Sequence, residues 1–194
     1  MMDDYKNRMS SVKDGVEAAR WLVKEGYARP GKIAAYGGSY GGYMSVATIV
    51  EDGGSDTPVF GASIDIVGIV NLKTFLEQTS GYRRKLREVE YGPLSDTAFL
   101  ESASPIFKAN QIKVPMLIGH GENDPRVPVG EARQLAAELE RRSQQPGQAR
   151  LKPELIIFPD EGHGFAKLQN RLVFYTKAVE FLDRTIGSKS APSN

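Results

Sequence analysis

The stretch "AAYGGSYGGYM", residues 34–44, decides how the rest of the chain is read. Four glycines in six residues suit a flexible linker, a nucleotide-binding loop, or the turn that carries a catalytic serine. Gly37-Gly38-Ser39-Tyr40-Gly41 fits G-x-S-x-G, a weak pattern taken alone. Its surroundings add weight: "KIAAY" (32–36) reads as a short buried strand, and Tyr43 to Val50 is apolar enough for a core helix. Glycines let the backbone turn tightly around a strained serine and let neighbouring segments pack close. The Tyr40 N–H, at the head of the following helix, can then point at a developing oxyanion. No Lys-Ser or Lys-Thr follows the glycines, and the spacing is not G-x-G-x-x-G, so neither nucleotide-loop reading holds. Apolar segments flank the stretch closely, which excludes a linker.

Working outward, the same alternation recurs. Ser11 to Gly26 reads as a helix, with Val12, Val16, Ala19 and Val23 on one stripe, "SVKD" resembling a capping box, and Gly26 as its stop. "VFGASI" (59–64), "VPMLIGH" (114–120) and "ELIIFP" (154–159) read as buried strands. Val129–Arg142 and about Asn170–Ile186 read as amphipathic helices, and residues 188–194, "SKSAPSN", as a mobile tail. Short apolar strands alternating with helices predict a parallel sheet covered on both faces, a three-layer α/β fold in one domain over residues 1–187. Ligands and chemistry in such sheets gather at the carboxyl ends of the strands.

Composition sets the bounds. The chain has 194 residues, a formal net charge of +1 with both signs dispersed, and no cysteine. Nothing in the charge balance predicts a nucleic-acid partner. The densest basic run, Arg83–Arg87, alternates with Glu88 and Glu90 and reads as the solvated face of a helix. The absence of cysteine excludes disulfides, thiolate metal sites and cysteine nucleophiles. Without an apolar leader or a spanning run, the default expectation is a cytoplasmic protein with no membrane partner, and no motif calls for a metal or cofactor.

A serine nucleophile needs a base, and the base an orienting acid. Only two histidines are present. His163 lies in "PDEGHGF", directly after the last predicted strand. His120 ends the preceding strand and is followed by "GENDPRVP". In α/β-hydrolases the chain order is serine, acid, histidine, with the acid after the penultimate strand and the histidine after the last. Asp124 and His163 stand in those places. His120 precedes the acid and is assigned a structural part, holding the loop that presents Asp124. Glu122 is the more serious rival acid; Asp160 and Glu161 lie too near His163 to reach around.

With these residues in place, the chain resembles the catalytic domain of the prolyl oligopeptidase family of serine peptidases, in its acylaminoacyl-peptidase-like and dipeptidyl-peptidase-like branches. The likeness runs from "DGVEAARWLVKEGYARPGKIAAYGGSYGGYM" through "SPIFKANQIKVPMLIGHGENDPRVP" to "FPDEGHGF". It implies an α/β-hydrolase fold with Ser39 as nucleophile, Asp124 as acid and His163 as base. It also implies that Arg126 binds a substrate carbonyl and that Val127 lines the pocket for the residue before the scissile bond. For Ile69, Leu72 and Phe75 it implies further pocket walls, with ordinary core an equally weighted reading. The expected substrates are short peptides or esters; a small carboxylesterase and a catalytically weak remnant serving as a binding module are the alternatives.

Two departures from the family pattern stand out. Nothing here resembles the family's β-propeller, and the strands and "HGGP"-like loop that precede the helix near Ser11 in the family have no counterpart. The fold is therefore expected to be truncated on its N-terminal side, with only the Tyr40 N–H accounted for as an oxyanion donor. The strand at Lys32–Tyr36 becomes an exposed edge, which predicts a homo-oligomer or a piece of a longer chain.

Overall fold

The computed structural model describes residues 4–187. The expected tail at 188–194 lies outside them. Helix α1 (Arg8–Lys24) leads to β1 (Ile33–Gly38), α2 (Tyr40–Gly53) and β2 (Phe60–Ile66). Three short helices follow, α3 (Leu72–Gln78), α4 (Gly81–Tyr91) and α5 (Thr97–Ala103). The chain then completes β3 (Met116–Gly121), α6 (Gly130–Ser143), β4 (Glu154–Phe158) and α7 (Leu168–Thr185).

The four strands pair in the order β1-β2-β3-β4, every pair parallel. Strand periodicity divides the core. In β2, Ala62, Ile64 and Ile66 face α7, where they pack with Phe174, Ala178 and Phe181. The alternate residues face α2: Ser63 Oγ donates to Ser45 O at 3.4 Å. On that side Val46, Ile49 and Val50 of α2 join Leu135 and Leu139 of α6 against Met116 and Ile118 of β3. A third cluster, containing Tyr43, Ile69, Leu72, Phe75, Tyr91 and Val127, packs between α2 and the short helices. These are the three layers expected.

The predicted strands and long helices are present, with boundaries moved by at most three residues. Helix α1 begins at Arg8, so Ser11 lies inside it and the capping box is not formed; the N-cap position is Asn7. The guanidinium of Arg8 explains the earlier start. It is buried, donates to Glu90 O, and lies 4.4 Å from the centre of the Tyr91 ring and 5.2 Å from that of Tyr40. Tertiary contact outweighs local capping here. At the other end Gly26 takes φ 79°, the left-handed stop its position predicts.

Helix α4 inverts the expectation for the Arg83–Arg87 run. The run is helical, but Arg83, Arg84 and Arg87 are half-buried while Tyr82, Leu86 and Val89 face solvent. Arg84 is held by Glu77 O and Thr79 O, and Arg83 by Pro125 O. The charged face of α4 is thus the docked face.

Strand β1 pairs only with β2, so its other edge is free of ladder partners among the described residues. Tyr36 on this strand is 54% exposed and contacts Tyr175 of α7. No helix among the described residues is long and apolar enough to cross a membrane.

Candidate active site

The parallel sheet brings three loops to one end. Ser39 stands between β1 and α2, at φ 58° and ψ −117°. For a residue with a Cβ this is a strained conformation, and it holds because the surroundings over-determine it. The Ser39 N–H donates to Ile66 O at 2.8 Å, tying the turn to the end of β2. A Cβ on Gly37 would collide with the backbone of Gly41, and one on Gly42 with Asp65 and Gly68. These two positions therefore need glycine for backbone-to-backbone closeness. Tyr40 opens α2, where an N–H has no partner within its own helix.

Ser39 Oγ lies 2.8 Å from His163 Nε2, and His163 Nδ1 lies 2.8 Å from Asp124 Oδ2. In the working tautomer Ser39 donates to Nε2 and Nδ1–H donates to the carboxylate. The three residues expected from strand order are thus brought together in the relay their roles require. The Asp124 carboxylate is fully buried. Burial alone would raise its pKa, but the His163 hydrogen bond and the Val127 and Arg126 N–H groups outweigh that and hold it below the usual carboxylate range. Oδ1 receives those two N–H donors at 3.0 and 2.8 Å.

His120 takes the place assigned to it. It is completely buried, and its Nε2 donates to Val127 O at 2.9 Å, closing the turn whose N–H groups grip Asp124. Burial pushes its pKa down, and Nδ1 has no hydrogen-bond partner among the described residues. The rival acids point elsewhere. Glu122 pairs with Arg133 at 2.6 Å, and Asp160 with Lys167 at 2.6 Å. Glu161 accepts from the N–H groups of Ala166 and Lys167 at 2.9 and 2.8 Å and so closes the loop bearing His163.

The two loops brace one another. The Glu122 N–H donates to Phe158 O, the Asn123 N–H to Glu161 O, and Asn123 Nδ2 to Pro159 O at 2.7 Å. Asn123 is not singled out in the sequence and Glu161 is weighed there only as a rival acid; nothing but their neighbourhood to the acid and histidine marks the bracing role. Val67, at φ 48° immediately after β2, was also missed, and no residue-type signal marks it. Its N–H donates to Gly119 O at 2.8 Å, locking the ends of β2 and β3 together beside the serine turn.

The residues expected around the substrate divide. Arg126 is exposed beside the acid. Ile69, Leu72, Phe75 and Val127 are buried, so in this arrangement they are core and present no surface to a substrate. Tyr91 packs edge-on against Phe75, and the Arg87 guanidinium also lies over the Phe75 ring. That cluster backs Tyr40, which is only partly buried. The cavity of about 680 Å³ lined by Phe60, Lys113, Arg150, Glu154 and Phe181 lies at the opposite, amino-terminal end of the strands.

Beneath the serine turn lies a second buried acid. Asp65 is fully buried, neither carboxylate oxygen has a strong hydrogen-bond partner among the described residues, and its pKa is raised to about 7 by burial, against the pull of the Gly68 N–H. Glu131 adds to the rise electrostatically.

A family-level comparison matches residues 3–189 to the prolyl oligopeptidase family. The chain is 34% identical over 186 residues to dipeptidyl aminopeptidase BIII of Pseudoxanthomonas mexicana, covering 92% of this chain and 25% of that protein. It is 32% identical over 187 residues to dipeptidyl peptidase family member 6 of Caenorhabditis elegans, covering 92% and 24%. The solved structure of a puromycin-hydrolyzing peptidase from Mycobacterium tuberculosis superposes with a TM-score of 0.78 at 30% identity, over 92% of this chain and 25% of that one. The chain thus spans about a quarter of the length of the relatives it matches.

The raised pKa of Asp65 sets a pH dependence. Its folded value near 7 exceeds the ordinary aspartate value of 3.8, so the unfolded chain ionises first as pH rises and stability falls between those values. Asp65→Asn removes that pH dependence. Denaturant melts should show wild type losing up to about 4 kcal/mol relative to Asp65→Asn between pH 4 and 8. Parallel curves across this range would show that Asp65 ionises no differently in the two states.

Proposed function

We propose that this chain, which belongs to the prolyl oligopeptidase family, carries the acyl-transfer centre of a serine peptidase acting on short peptides or esters. The observation that supports it most is the Ser39–His163–Asp124 relay, two contacts of 2.8 Å joining residues from three separate strand ends.

In this mechanism His163 Nε2 takes the Ser39 proton as Oγ attacks the scissile carbonyl. Asp124 holds the Nδ1–H tautomer and stabilises the imidazolium that forms. The Tyr40 N–H donates to the oxyanion of the tetrahedral intermediate. His163 then protonates the leaving group, giving an acyl-Ser39, and afterwards activates the water that releases it. The exposed Arg126 is assigned to the substrate carbonyl, because its own backbone N–H anchors Asp124 and so fixes it beside the relay. Small activated esters fit the same chemistry, since their leaving groups need less protonation.

The free edge of β1 is proposed as a pairing edge, for a strand of a longer chain or of a second copy. Its support is the one-sided ladder and the exposure of Tyr36. In such an assembly the outward amides of residues 33–36 exchange slowly with solvent; exchange at rates of unprotected amides would argue for a bare edge.

Hydrolysis of a p-nitrophenyl ester and of short peptides tests the catalytic reading. Asp124→Asn should lower kcat by roughly 10⁴-fold and Ser39→Ala by roughly 10⁶-fold. Equal rates in wild type and Ser39→Ala would leave the chain a binding module.

A further inference from the structure

Arg8, at the start of α1, is 1% exposed. Its guanidinium donates to Glu90 O in the last turn of α4, among the carbonyls that a helix leaves without partners of its own. The same group lies 4.4, 5.2 and 5.8 Å from the ring centres of Tyr91, Tyr40 and Tyr43. Its Nε has no hydrogen-bond partner among the described residues. Burying a guanidinium costs desolvation, and an apolar side chain of similar length would fill the same space without that cost. Packing of α1 alone therefore does not account for a cation here.

The cation completes a platform of aromatic rings. Tyr43 is fixed by its hydroxyl, which donates to Ala103 O at 3.0 Å, and Tyr91 by edge contact with Phe75, ring centres 5.5 Å apart. Tyr40 stacks on Tyr43, with centres 5.7 Å apart and planes 21° from parallel, and is tilted against Tyr91 at 6.3 Å. Of the three tyrosines under the guanidinium, Tyr40 is the one that is partly exposed. Its N–H is also the one assigned to the oxyanion. That N–H opens α2, so no bond within the helix fixes the plane of the Ser39–Tyr40 peptide. Holding the ring restrains this peptide from its side-chain end.

We propose that Arg8 is a positioning residue for the oxyanion site: by gripping the Tyr40 ring it aims the Tyr40 N–H at the developing oxyanion. This role rests on the serine-peptidase reading of Ser39, and it brings into the site a helix, α1, that supplies no member of the relay. A guanidinium suits the task because it is flat, donating along its edge to Glu90 O while its faces meet aromatic rings. Lysine keeps the charge and loses the plane. The oxyanion bears its charge only after Ser39 Oγ has attacked the carbonyl, or water the acyl-enzyme. A loosened grip therefore lowers kcat and leaves KM.

Steady-state hydrolysis of a p-nitrophenyl ester by the full chain tests this, with circular dichroism melts showing which variants are folded at the assay temperature. Arg8→Met should lower kcat by about 10-fold, part of the 10²–10³-fold that a whole oxyanion donor supplies, with KM within about 2-fold of wild type. Arg8→Lys should recover kcat to within about 3-fold. Tyr40→Leu keeps the N–H and removes the ring, so in that background Arg8→Met should cost no more than about 2-fold further. A part confined to folding would lower the melting temperature of Arg8→Met and leave the kcat of the folded protein unchanged, which would overturn the proposal. A loss carried by KM, or an undiminished loss in the Tyr40→Leu background, would overturn it too. Should Arg8→Met not fold, Arg8→Lys compared in the two backgrounds makes the same test. Wild type no faster than Ser39→Ala would refute the reading of the site and this role with it; an active wild type indifferent to Arg8 refutes the role alone.

Discussion

The structure hinges on a single backbone reversal, the passage from β1 into α2 at Ser39. A positive φ at a residue with a Cβ costs on the order of 1–3 kcal/mol, and three close approaches hold it. Gly37 meets the backbone of Gly41, Gly42 meets Asp65 and Gly68, and the Ser39 N–H is drawn to Ile66 O. Once the reversal is fixed, the serine hydroxyl stands above the sheet and the free N–H of Tyr40 stands beside it. Much else at this end of the sheet serves to meet that hydroxyl with a correctly oriented imidazole.

The meeting is secured by two loops that lean on each other rather than on the serine turn. The acid loop donates from Glu122 and Asn123 into the histidine loop, and Glu161 closes the histidine loop by accepting from Ala166 and Lys167. His120 closes the acid loop from below through Val127 O. The serine–histidine contact thus joins two bodies, the β1–α2 turn and the braced loops of β3 and β4. Asp65 lies beneath the turn as a buried acid with little hydrogen bonding, held where two glycines leave it room.

How much of this could be read in the sequence follows from where the information is local. Strand-turn-helix around Ser39, and an acid and a histidine after the last two strands, are local signals repeated at each strand end. They mark Ser39, Asp124 and His163 in the sequence itself. The helix start at Arg8 was not legible because an aromatic cluster of distant residues, and not the Ser11 box, decides it. The short helices α3 and α5 escaped for a similar reason. Asn71 caps α3, but the surrounding core of Leu72, Phe75 and Tyr91 comes from segments far apart in the chain. In α4 the alternation of Arg and Glu was correctly read as helical but assigned to the wrong face. The acceptors that draw its arginines inward are backbone carbonyls, which leave no trace in residue type. Pocket and core, left open for Ile69, Leu72 and Phe75, are separated only by burial.

The central claim is that Ser39 is an activated nucleophile, and reaction with a fluorophosphonate followed by peptide mass spectrometry tests it most directly. The account predicts a single covalent adduct on Ser39, absent in Ser39→Ala and formed far more slowly in His163→Ala. Folded wild-type protein that acquires no adduct, or one that reacts equally well without His163, would contradict it.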